Sequence, residues 1–225
     1  MTISVVIPAL EEATRIRDAV ECVTGPEVEV IVVDGGSRDE TARLAREAGA
    51  RVFVAQEGQR GRAHQLRLGS AESTGDVILF LHADTLLAAG WREAVERALS
   101  DPGVAGGAFT LRFGTRGGRE RWIEGWAALR VALFGLPYGD QAIFLRREVL
   151  TEMGGVPSVP IMEDLDLVRA IKRAGRLSIL ALPATTSSRR YRGRGTLRTI
   201  FWHQVALVGW LLGWDRERLA RRMGR

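Results

Sequence analysis

The sequence predicts an α/β protein: a Rossmann-like, mostly parallel central sheet with helices on both faces, followed by a helical tail. Three observations carry this. Val- and Ile-rich runs alternate with helix-length segments through the first 84 residues. The runs "ISVVIPAL" and "EVEVIVVD" read as buried strands and "DVILFLHAD" is almost continuously apolar, as strands covered on both faces are. Acids, glycines and hydroxyls follow two of those runs directly, at the strand ends where open parallel sheets gather their ligands.

Taken in order, residues 3–10 read as a buried strand and 11–23 as a helix. Residues 27–34 form a second strand, 37–49 a helix with Ser37 at its cap, and 50–56 a third strand. A helix over 60–73 and a fourth strand over 76–84 complete the alternation. Trp122, Trp126 and Leu129 fall at helical spacing and predict a helix that packs on the sheet or lines an acceptor side. A helix is expected to begin near Glu163 in "PIMEDLDLVRAIKRAG", and "LSILALPA" is the last core strand. Residues 1–195 are expected to form one domain and 196–225 an amphipathic helical tail.

Composition bounds the function. With 225 residues, 46% of them hydrophobic, the chain buries one sizeable core. The single cysteine, Cys22, forms no intramolecular disulfide and suits a reducing compartment as a small buried hydrophobe. No secretory progression opens the sequence, so a cytoplasmic protein is expected. The net charge of +5 comes almost wholly from arginine and is densest from Arg189 onward, which implies phosphate-rich partners: nucleotides, nucleic acid or an anionic membrane face. Two nucleotide classes are disfavoured. The first strand runs into "IPALEE" rather than a G-x-G-x-x-G loop, and no G-K-[ST] loop occurs.

Asp34 and Asp84 end strands two and four. Each alone is a plausible turn former, but two acids at one rim are costly unless something binds there, and together they point to a nucleotide site. The blocks "SVVIPALEE", "VIVVDGGSRDET", "GRAHQLRLG", "LFLHADT", "GDQAIFLRRE" and "MEDLDL", in that order, resemble family 2 glycosyltransferases of the GT-A fold. Within that family they look most like the bacterial radical-SAM/selenodomain-associated or arsenosugar-biosynthesis subgroup.

The resemblance implies residue roles. Pro8, Ala9 and Glu12 would line the nucleoside pocket, with Asp34 hydrogen-bonded to the base and Ser37 near it. Asp84 matches the last acid of the family's D-x-D signature, which holds a divalent Mn²⁺ or Mg²⁺ ion on the donor diphosphate. Glu163 and Asp164 match its acidic pair, in which an aspartate commonly serves as general base. Asp140 and Gln141 would contact donor sugar or acceptor. His82 stands where the first acid of D-x-D is usual, so it either supplies a nitrogen ligand or a hydrogen bond, or leaves the metal to Asp84 alone. Glu11 and Arg67 also depart from the family's pattern.

Arginines complete the expected phosphate chemistry. Arg62 sits at a helix start, where a guanidinium fork and the helix end both favour phosphate oxygens. Arg189 and Arg190 follow the last core strand, in a loop expected to fold over the donor; a solvated basic linker is the alternative. Glu163, Asp164 and Asp166 have a bland alternative too, as acids that satisfy a helix N-terminus.

The tail's apolar run is too short to span a bilayer, at roughly 20 residues required. Its tryptophans and flanking arginines suit an interfacial helix on the inner membrane face, whereas packing on the domain or on a second subunit, as in a homodimer, is the alternative. The expected function is transfer of a sugar from a nucleotide-diphosphate sugar, with uridine as the base, to an unidentified small-molecule, lipid or glycan hydroxyl with inversion. The alternatives are a nucleotide-sugar-binding protein without transfer activity, and a basic membrane-surface or nucleic-acid-binding module.

Overall fold

A computed structural model describes residues 1–55, 61–115, 117–189 and 196–223. In chain order the first half runs β1 (Ile3–Ala9), α1 (Ile16–Glu21), β2 (Val28–Asp34), α2 (Thr41–Glu47), β3 (Arg51–Val54), α3 (Arg62–Ala71), β4 (Val77–Phe80), β5 (Thr85–Leu87) and α4 (Trp91–Leu99). The second half runs β6 (Val104–Phe113), α5 (Gly118–Phe134), a 3₁₀ turn (Gly139–Gln141), β7 (Ile143–Arg146), α6 (Arg147–Glu152), α7 (Glu163–Ala174), β8 (Arg176–Thr186), α8 (Thr196–Leu211) and α9 (Arg216–Arg222).

One sheet carries the strands in the order β3-β2-β1-β4-β7-β6-β8-β5. The first four are parallel, as their apolar runs predict. Beyond β4 the sheet becomes mixed: β7 runs antiparallel to both β4 and β6, β6 and β8 are parallel, and β5 returns antiparallel along the end of β8. Alternation along β1 builds two cores. Ile3, Val5 and Ile7 face a layer formed with Ile16 and Val20 of α1 and Trp91, Val95 and Leu99 of α4. Val6 faces the opposite layer with Leu66 of α3 and Leu167, Val168 and Ile171 of α7.

Two expectations need correction, and one strand went unread. The first helix is short, because Glu11 takes a left-handed φ of 55° and the Glu12 and Ala13 amides are tied to Thr41 and Asp39. Ser37 caps no helix: α2 begins at Thr41, and the Ser37 hydroxyl serves Asp34 and the Glu11 amide instead. Strand β6 escapes the sequence pattern because Gly106 and Gly107 interrupt its apolar run. They are required there, since a Cβ would strike the carbonyl oxygens of Phe144 and Ser178 on the neighbouring strands.

The tail packs on the domain. Leu207 and Trp210 of α8 cluster with Leu165, and Ala206, Leu219 and Ala220 with Ile161. Trp210 Nε1 donates to Asp166 at 2.9 Å, and Arg216 grips both oxygens of the same carboxylate at 2.5 and 3.0 Å. Among the described residues no helix is long and apolar enough to cross a membrane.

Candidate functional site

The chain turns at the carboxyl ends of β1 and β2 converge first. Asp34 is buried, and its carboxylate accepts from the amides of Gly36 at 3.2 Å and Ser37 at 2.9 Å and from the Ser37 hydroxyl. The opening acid of this rim therefore shapes the turn that follows β2. Gln65, unmarked in the sequence, reaches from α3 to the carbonyls of Ala9 and Val33, each at 2.8 Å, and pins the two strand ends together. Ala9 is buried with its carbonyl spent on Gln65 and on the Gly35 amide at 2.8 Å, so its expected donor role reduces to wall; Pro8 is half-buried beside it.

Across the rim, β5 brings Asp84 against the end of β8. The Ser187 amide donates to the Asp84 carbonyl at 3.2 Å, and the nearest hydroxyl to its carboxylate is that of Thr186, at a long 3.5 Å. From there the chain continues to Arg189, whose guanidinium pairs with Glu12. Arg189 is thus placed at the rim as expected, but on a protein carboxylate. Arg190 lies outside the described residues.

Burial raises the Glu12 carboxyl above its ordinary 4.5; Arg189 pulls it down and Asp84 adds to the rise. A carboxyl raised in the folded state adds stability below its ordinary value, and that contribution is lost as pH climbs through the raised one. Glu12→Gln should therefore flatten the decline above pH 4.5. Melting temperatures of both proteins, followed from there to neutrality, check this: the variant is expected to match or exceed the wild type at neutral pH and to lose that standing on acidification.

The third wall is built by α3 and α7. Arg62, opening α3, forms an ion pair with Glu163, Nε to carboxylate oxygen 2.9 Å, and places Nη2 3.9 Å from Asp164. Burial works against its charge, but the carboxylates of Glu163, Asp164, Asp140 and Asp84 outweigh that and raise its pKa. All four acids thus act on one guanidinium, which joins the Asp84 side of the rim to the α7 side. Asp164 accepts from the Gly139 amide at 2.8 Å and from its own neighbour Leu165 at 2.9 Å, so it is held in place yet is 14% exposed, against 7% for Glu163. At Gly139 a Cβ would push the Arg62 guanidinium out of its present place and stand 3.1 Å from His82 Nε2.

This places the remaining expected residues. His82 borders Gly139 on this side of the rim, its Nε2 3.1 Å from where a Gly139 Cβ would stand. Gln141 is buried, donating to Phe109 at 2.9 Å while accepting from Arg130 at 3.1 Å and Tyr138 at 3.3 Å, so it ties the 3₁₀ turn to β6 and α5. Asp140 lines a cleft between α5 and α8. Asp166, third acid of the motif, is consumed by Trp210 and Arg216.

Among the described residues no three His, Cys, Asp or Glu side chains are gathered as a metal cage. A single rim carboxylate, Asp84, with loosely engaged oxygens does fit the mode in which a hard divalent ion is held by one or two carboxylates together with phosphate oxygens and water.

The family model "Glycosyl transferase family 2" matches residues 4–151. The chain belongs to that family. The glucosyl-3-phosphoglycerate synthase of Mycolicibacterium smegmatis is 38% identical over 95 residues, which cover 38% of this chain and 31% of that protein. The 4,4'-diaponeurosporenoate glycosyltransferase of Staphylococcus haemolyticus is 33% identical over 93 residues, covering 38% and 25%. The chain thus matches a third or less of the length of these curated relatives. A crystal structure of the Mycobacterium tuberculosis glucosyl-3-phosphoglycerate synthase aligns with a TM-score of 0.67 at 22% identity, covering 95% of this chain and 81% of that one. Another, in complex with Mn²⁺, UDP-glucose and phosphoglyceric acid, aligns with a TM-score of 0.59 at 25% identity, covering 81% and 70%. The GT-A-like, Rossmann-type fold expected of family 2 is thereby shown. These relatives lend no support to the radical-SAM or arsenosugar subgroup.

Proposed function

We propose that this family 2 chain transfers a sugar from a nucleoside-diphosphate sugar, with uridine as the base, to an acceptor hydroxyl with inversion. The observation that carries the proposal is the acidic rim around Arg62: its guanidinium pairs with Glu163 at 2.9 Å and lies 3.9 Å from Asp164, and the charge of Asp84 also acts on it. The UDP-glucose and Mn²⁺ bound by the mycobacterial neighbour support the donor and ion classes.

In this reading the acceptor hydroxyl attacks the anomeric carbon while its proton passes to Asp164, and the sugar–phosphate bond breaks to release the nucleoside diphosphate. Glu163 is a positioning residue, because it is almost wholly buried on Arg62 and holds that guanidinium toward Asp164. A divalent ion, when bound, neutralises charge on the leaving diphosphate. Asp84 is the residue of this chain that would hold it; His82 faces the arginine side. Arg189 would exchange Glu12 for diphosphate oxygens, which closes the segment after β8 over the donor and excludes water.

Thermal melting tests this. UDP at about 100 times its dissociation constant should stabilise the fold by roughly 2.7 kcal/mol, more strongly with Mn²⁺ or Mg²⁺ present. Asp84→Ala should remove the metal-dependent part and leave the unliganded melting temperature nearly unchanged, because among the described residues this rim carboxylate has only the long Thr186 hydrogen bond to lose. No shift with any nucleotide at millimolar concentration would refute the donor site.

A further inference from the structure

The cleft between α5 and α8 runs from the catalytic rim to an exposed apolar face. Trp126, Leu133 and Phe134 of α5 and Leu207 of α8 wall it, and Tyr138 and Asp140 stand at its rim end. Its enclosed volume is about 120 Å³. Sites that swallow a small ligand whole measure roughly 300–1,000 Å³, so this one admits part of a ligand and leaves the rest outside. Outside, the surface stays apolar. Trp122, Trp126, Leu129 and Leu133 form one stripe along α5 and are 49, 52, 47 and 66% exposed. No exposed residue of α5 from Trp122 to Phe134 is charged. Such a patch is uncommon on a surface that meets only water.

The rim end discriminates among headgroups. Arg130, the arginine of the cleft, is spent: Nε donates to Leu136 at 2.8 Å, Nη2 to Gln141 at 3.1 Å, and its guanidinium carbon lies 3.5 Å over the Tyr138 ring. Asp140 and Asp164 add negative charge at the same end, of which Arg62 offsets part. The Tyr138 hydroxyl is buried without a hydrogen-bond partner among the described residues. Burial first, and the nearby carboxylates after it, push its pKa up to about 12 against the pull of Arg130, so it stays a neutral donor. A buried hydroxyl without a partner is costly, and an incoming hydroxyl would relieve it.

We infer that the acceptor is an uncharged amphiphile, a hydroxyl-bearing head on a long apolar chain, whose head meets Tyr138 beside Asp164 while its chain fills the α5–α8 cleft and runs out along the Trp122–Leu133 stripe. The inference rests on the glycosyltransferase reading above and narrows its acceptor.

A dansyl-labelled C11 alcohol, titrated below its micellar concentration, tests the inference. Saturable binding with a blue-shifted emission is expected, displaced by 1-decanol and not by 3-phosphoglycerate. Leu133→Glu, at an exposed position that tolerates the charge in the free protein, should weaken it by about tenfold or more, and Tyr138→Phe by a smaller factor, with the UDP thermal shift intact in both. Absence of saturable binding, displacement by 3-phosphoglycerate, or an unchanged Leu133→Glu overturns the inference. So does binding to phosphatidylglycerol vesicles that 1-decanol does not compete, which would assign the stripe to a membrane, or a dimer that Leu133→Glu dissociates, which would assign it to a second copy. Alcohol binding in a chain that ignores UDP refutes the donor reading, and the acceptor assignment falls with it; a normal UDP response without alcohol binding refutes the acceptor assignment alone.

Discussion

Asp164→Asn is expected to lose sugar transfer by about 10²- to 10⁴-fold while the nucleotide donor still binds within a few-fold of the wild type. The substitution is nearly isosteric, and the amide oxygen can keep the hydrogen bond from the Gly139 amide that now lies 2.8 Å from the carboxylate. What disappears is the capacity to take a proton. Calorimetry with UDP gives the binding half, and transfer to the acceptor gives the other. Glu163→Gln should show a milder loss of rate, since Arg62 still has Asp164 to face. Loss of donor binding in Asp164→Asn, or an unchanged rate, would move the role of base to Glu163.

Arg62→Met is expected to damage both stability and donor binding. Glu163 is 7% exposed and Asp164 14%, and the guanidinium between them is the cation that offsets their burial. Breaking a buried ion pair from one side strands the other charge, at a typical cost of 3–5 kcal/mol. Arg62 is itself 30% exposed, so about 3 kcal/mol is the expected loss, or roughly 6–12 °C in melting temperature for a domain of this size. UDP should then fail to restore the wild-type response even where the variant is folded. A variant that melts like the wild type would show that the four surrounding acids need no cation, and the electrostatic account of the rim would be wrong.

The parallel half of the sheet was legible in the sequence because each strand carries its own signal. "ISVVIPAL", "EVEVIVVD" and "DVILFLHAD" are buried on both faces, and the chain between them turns helical by spacing alone. The mixed half was not. Gly106 and Gly107 look like breakers until the neighbouring backbones that demand them are in place. The site divides along the same line. Asp84, Arg62, Glu163 and Asp164 announced themselves through their motifs, whereas Gln65 and Gly139 matter only through what lies across the fold from them. Gln141, expected to contact donor sugar or acceptor, has hydrogen bonds to Phe109 and Arg130 that no local pattern announces. Asp166 and Trp210 show why: 44 residues apart, they are partners because α8 folds back onto α7.

The sequence by itself determined the fold class, the family and the acids at the rim, since periodicity and motif spacing are properties of residues within a few positions of each other. Only the tertiary structure decided which acid meets which cation, which face of the tail is covered, and that an apolar cleft opens beside Asp164. A charged or polar side chain is satisfied by whatever the chain path brings within about 3 Å, and that path results from burying the whole core at once rather than from any local run of residues.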